Sequence, residues 1–190
     1  MPGHYHEEAL WSLFTELEQQ RMQMGLKRRL PAMGSATVTV GESQLEPDNS
    51  FYARGRDSDP TVVVEVGVSQ SLGSLKIKAA VWCQLPGLKA VVLVDINTEK
   101  DTITVIKTVP VLLQDNGAGS GPSVYPQEAA RIVVRSVEGT PRVYELDPGH
   151  DQAIALAYDA MTGEVAPAGG RRDFVLGSVF LRHWAAEVLA

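Results

Sequence analysis

The sequence predicts an α/β domain with a mixed central sheet flanked by helices. Three observations carry this. Residues 61–68, Thr-Val-Val-Val-Glu-Val-Gly-Val, form a dense β-branched run, the strongest strand signal in the chain. A second apolar run spans Leu88 to Asn97. Between the two, Leu72 to Gln84 has helical spacing, so a crossover helix should join the strands and leave them parallel. Strands near Val38, Phe51, Val64, Val92 and Ile103 are expected in one sheet, with helices near Leu13 and Ala79 packed on it. The 190 residues read as one domain, with a core over about 36–108 and a C-terminal elaboration over about 109–190.

The first element is a helix from about Tyr5 to Arg29. Leu10, Leu13, Phe14, Leu17, Arg21 and Met24 share one side, and Leu30-Pro31 and Gly34 end it. Its basic tail, Lys27-Arg28-Arg29, complements the helix macrodipole. Ala36 to Val40 alternates as a short strand, and Gly41-Glu42-Ser43 turns. Gln44-Leu45 then leads to Pro47-Asp48, where Asn49 to Tyr52 can continue a strand. Pro47 has no amide hydrogen and belongs at a strand start or edge. Arg54 to Asp59 reads as a hairpin loop. Ser71 or Ser74 should cap the helix that follows the core strand. Thr102 to Thr108 is the hairpin partner of the Leu88 strand. Gln114 to Gly121 is a glycine-rich loop. Arg131 to Val137 and Arg142 to Leu146 form a hairpin. His150 to Met161 is expected to be a helix, and Phe174 to Ala190 a closing helix or strand plus helix.

Composition narrows the function. The net charge of −6 offers no global basic footprint for nucleic acid, though a local basic face remains compatible with it. No segment reaches the roughly 18 apolar residues of a membrane span. The N-terminus lacks a signal-peptide layout. Cys83 is the one cysteine, which excludes an internal disulfide and reads as a packed thiol. An intracellular location, cytoplasmic or nuclear, fits these features. The glycines of residues 114–121 lack the Gly-Lys-Ser/Thr ending of a phosphate loop, and no Ser sits in a Gly-x-Ser-x-Gly frame. His4, His6, His150 and His183 are scattered and give little support to histidine-based metal or triad chemistry. The apolar second half either covers one face of the sheet or supplies a homodimer contact.

One residue breaks the pattern of the core strand. Glu65 is the single ionisable group in the valine run, on the side shared by Val63 and Gly67. A buried carboxylate is costly without a partner, and a lysine or a divalent cation would serve. Asp48 and Lys78 are the nearest candidates. Lys78 lies three residues after Leu75 and four before Trp82, so it borders the packed side of its helix. Lys76 points about 160° away around the helix.

The order acid, acid within a strand, lysine resembles the PD-(D/E)xK nuclease superfamily, the restriction-endonuclease-like fold. Pro47-Asp48 corresponds to its first element and Glu65 to the acid of its second. The superfamily lysine usually stands two residues after that acid, where this chain has Gly67. In several branches it stands on the following helix, and Lys78 corresponds to such a lysine. Ser69-Gln70-Ser71, the Lys78–Trp82 spacing and the strand ending in Asp95 extend the likeness over roughly 36–108. The resemblance implies a restriction-endonuclease-like sheet and Mg²⁺- or Mn²⁺-dependent hydrolysis of DNA or RNA. It implies that Asp48, Glu65 and the backbone carbonyl of Val66 hold the ion, and that Lys78 acts on the attacking water. Glu16 is a further candidate for the ion, because a first-helix glutamate sometimes helps hold it in the superfamily. Gln70 is a candidate substrate contact by its nearness in sequence alone. The alternative is a non-catalytic interaction or scaffold domain, in which the same side chains form a buried ion-pair network.

Overall fold

The computed structural model describes residues 3–26, 34, 36–52, 59–68, 70–113, 123–163, 165 and 173–189. The basic tail Lys27-Arg28-Arg29, Ser69, most of the loop preceding the core strand and the glycine-rich loop lie outside the described residues.

Helix α1 (His4–Gln23) buries Ala9, Leu13 and Leu17. It stops short of the expected end at Arg29 because Gly25 ends it. Gly25 has φ +71°, its N–H donates to Met22 O, and the Leu26 N–H reaches back to Arg21 O. This is a left-handed glycine stop.

Strands β1 (Val38–Val40) and β2 (Ser43–Leu45) follow. Among the described residues they pair only with each other, around Gly41 at φ +60°. The strand near Val38 is therefore not part of the central sheet, contrary to expectation. Three-residue strands joined by a tight turn satisfy one another, and Val38 and Val40 still reach the core.

The central sheet is built from β3 (Asn49–Phe51), β4 (Val62–Val68), β5 (Ala90–Asn97), β6 (Thr102–Leu113), β7 (Ser123–Ser136) and β8 (Tyr144–Leu146), in that spatial order. Only β4 and β5 are parallel, with Val64 opposite Val92, and helix α2 (Leu72–Trp82) makes the crossover. Every other pairing is antiparallel. Side-chain alternation sorts the valines. Val62, Val64, Val66, Val92 and Val94 join the α1 core, whereas Val63, Val91 and Leu93 join the α2 core.

The rest of the chain folds onto the α1 side. Strand β9 (Ala153–Ala157) pairs antiparallel with β10 (Asp173–Gly177), flanked by helices α3 (Tyr158–Thr162) and α4 (Ser178–Val188). The segment from His150 to Met161 is thus a strand and a short helix, not one helix. Ile154 and Leu156 are buried between exposed Ala153, Ala155 and Ala157, a period of two that alanine's helix propensity concealed. Ile154, Leu156, Phe174, Leu181 and Trp184 complete the α1-side core. Among the described residues no helix is long and apolar enough to cross a membrane.

Gln20 joins the two halves. Its Nε2 donates to Val175 O at 2.6 Å, and its Oε1 accepts from Val175 N at 2.8 Å. A buried side-chain amide thus serves β10 as a neighbouring strand would. Gln20→Ala is expected to cost about 1–3 kcal/mol by orphaning both groups. Urea denaturation measures this, and a loss below roughly 0.5 kcal/mol would contradict the role.

Candidate active site

The cluster forms at the edge of β4, where β3 stops. The last β3–β4 register pair is Asn49 with Val64, so the next outward-facing backbone groups of β4 have no strand beside them. Asp48 fills that place. Its Oδ2 accepts from Val66 N at 2.7 Å. In a strand the N–H and C=O of one residue face the same side, so the Val66 carbonyl faces the Asp48 edge as well.

Glu65 points to the other face, towards α2, and is 1% exposed. Lys78 Nζ donates to its Oε2 at 2.9 Å, and Trp82 Nε1 donates to its Oε1 at 2.7 Å. The i, i+4 spacing brings both donors to one carboxylate. Burial pushes the Glu65 pKa up, the two donors pull it back, and the negative charge of nearby Asp48 raises it again. The Lys78 side chain remains 45% exposed, so its ammonium lies between the buried acid and solvent.

Helix α2 reaches Glu65 because of Gly67. A Cβ there would stand 2.9 Å from Leu75 Cδ1 and 3.3 Å from Gln70 Cβ. Leu75 is fully buried against this strand. Any side chain at Gly67 would overpack the contact that holds Lys78 and Trp82 over Glu65.

Asp48, Glu65, Lys78 and the Val66 backbone thus come together. Glu16 does not join them. It accepts from Gln20 Nε2 at 2.6 Å, ten residues along α1 from His6, which is roughly 15 Å of helix. Gln70 is exposed beside Gly67 at the entry to α2. Asp95 stands opposite Gly67 on β5, half-buried, with its pKa raised by burial. Lys76 turns away to Glu128, at 3.2 Å. Burial pushes the Cys83 thiol up to about 11, consistent with a packed side chain.

Two participants were missed in the sequence. His6 Nε2 stands 3.2 Å from Asp48 Oδ1, from the first turn of α1. Its side chain is mostly buried. No spacing signal connects positions 6 and 48. Trp82 had been read as packing alone, although its distance of four from Lys78 already placed its indole N–H on the same line. Among the described residues, no three His, Cys, Asp or Glu side chains form a ready metal cluster.

Neither the family models nor the curated proteins contain a match to this chain. Among solved structures it is similar to the crystal structure of a candidate nuclease belonging to DUF820 from Anabaena variabilis. The identity is 13% and the TM-score 0.46, over 97% of this chain and 84% of that one.

The raised Glu65 pKa has a signed consequence. The native state holds this proton more tightly than the unfolded chain does. Its contribution is therefore complete below the ordinary glutamate value of 4.5 and is lost as pH rises towards the folded value. Lys78→Met removes a cation that lowers the folded value. The stability gap between wild type and Lys78→Met should widen as pH rises above 4.5. Urea unfolding between about pH 4 and 8 checks this, and a pH-independent gap would contradict it.

Proposed function

We propose that this chain is a divalent-cation-dependent phosphodiester hydrolase of the restriction-endonuclease-like class, acting on DNA or RNA. The observation that carries the reading is the convergence of Asp48, Glu65 and Lys78 at the open edge of β4. The Gly67 position, where the superfamily lysine usually stands, is crowded by Leu75, which supports reading Lys78 on α2 as its counterpart.

The donor set fits Mg²⁺ or Mn²⁺: two carboxylates and a carbonyl, all hard oxygens. Asp48, Glu65 and the Val66 carbonyl would hold the ion. When bound, it polarises a phosphate oxygen and lowers the pKa of a coordinated water. Lys78 keeps its ammonium at the mouth of the site. It can leave Glu65 for a phosphate oxygen or the attacking water, and offset negative charge in the transition state. Trp82 keeps its bond to Glu65 Oε1 and fixes that carboxylate as Lys78 moves. His6 and the Val66 N–H fix Asp48.

A second reading has a specific observation behind it. Each oxygen of Asp48 and Glu65 already has a partner within the protein. A network satisfied in this way suits a non-catalytic interaction domain, and the net charge of −6 does not favour nucleic acid.

The two readings part on activity. Wild-type protein with Mg²⁺ or Mn²⁺ is expected to cleave single- or double-stranded DNA or RNA. Asp48→Asn and Glu65→Gln should each lower the rate at least about a hundredfold with the fold retained by circular dichroism. Lys78→Ala should lower the rate more than the metal affinity. Absence of cleavage on all four substrates, together with absence of any Mn²⁺-dependent rise in Tm, favours the interaction domain.

A further inference from the structure

A second concave surface lies between α1 and α4, with a volume of about 620 Å³. Its walls combine apolar and acidic side chains, with His183, Ser12, Thr15 and Gln19 among them. Trp11 is 69% exposed and Val179 63% exposed, and Phe180 stacks on buried Trp184 at 5.7 Å. Glu8 and Glu16 from α1 and Glu187 from α4 supply the charge. Among the described residues, no Lys or Arg lines the groove.

An indole this exposed beside other apolar groups is unusual on a surface that only meets water. Tryptophan is also the residue type most enriched in interface hot spots. The α1 residues lining the groove recur every three or four positions, so the trough runs along the helix, about 12 Å from Glu8 to Glu16. That shape and length suit two to three turns of a third helix. Charge selects among occupants. A second copy docked through the same face would set three carboxylates against three, in a chain whose net charge is already −6.

We propose that the α1–α4 groove docks a basic amphipathic helix of a partner protein. Apolar residues on one face of that helix would cover Trp11, Val179 and Phe180. Lysines or arginines flanking them would meet Glu8, Glu16 and Glu187. This docking is independent of the cluster around Glu65.

The probes are two labelled synthetic peptides of about 14 residues, an amphipathic Leu/Lys helix and its Leu/Glu counterpart. Fluorescence anisotropy with the full chain should show the Leu/Lys peptide binding at least about tenfold more tightly. Trp11→Ala should weaken binding about tenfold. The triple variant Glu8→Gln, Glu16→Gln, Glu187→Gln should do the same and flatten the salt dependence. Glu138→Gln with Glu145→Gln, exposed positions of the β7–β8 hairpin, should change nothing. Circular dichroism verifies each fold, and Trp11 is exposed enough for its truncation to be tolerated. Equal affinity for both peptides, an unchanged affinity in Trp11→Ala, or equal weakening by the hairpin pair would overturn the proposal. Sedimentation of wild type as a dimer that Trp11→Ala dissolves would overturn it too, by giving the groove to a second copy.

Discussion

The structure around the site depends on one costly feature, a carboxylate in the middle of a valine strand. Glu65 is 1% exposed, in a strand otherwise made of apolar residues and Gly67. Left alone it would be protonated or would destabilise the sheet. Two donors from one helix oppose that, and they can do so only because α2 lies close on β4. The closeness comes from Leu75 over Gly67, and the crossover that delivers α2 is the one that makes β4 and β5 parallel. Local sequence, topology and electrostatics are thus linked through a single side chain. Helix α2 carries its lysine and its indole four residues apart because both must reach the same two oxygens.

The same linkage shapes the chemistry. Trp82 and Lys78 share Glu65 unequally. Trp82 is buried and held by packing, whereas Lys78 is half in solvent and free to exchange partners. A carboxylate oxygen has two lone-pair positions, so an incoming cation competes with Lys78 but need not displace the indole. On the other side of β4, Asp48 stands in for a missing strand, and the end of β3 at Asn49 leaves the Val66 carbonyl facing the same gap. Where strand pairing stops, backbone groups are left without a strand partner, and the proposed cation site lies at such a place.

Much of this was legible in the sequence, for identifiable reasons. The parity of Glu65 against its valines, the crossover and the Lys78–Trp82 line follow from periods of two and 3.6, which any isolated segment displays. What escaped depended on distant residues or on local stops. His6 meets Asp48 through the packing of α1. The β1–β2 hairpin separates from the main sheet because its two short strands satisfy each other. Gly25 stops α1 at Gln23, short of the expected end at Arg29. Ala153 to Ala157 becomes a strand because β10, some twenty residues later, offers it an edge. Alanine alone would have favoured a helix.

The central claim is that the Asp48–Glu65–Lys78 network is a cation site held closed by its own lysine. A crystal of the wild-type protein soaked in Mn²⁺ tests it most directly, through the anomalous signal of the metal. The account predicts one peak shared by the Asp48 and Glu65 carboxylates, with Lys78 moved off Glu65 and the Trp82 bond kept. No peak at that position, with Lys78 still on Glu65 at a Mn²⁺ concentration that fills other carboxylate sites in the crystal, would contradict it.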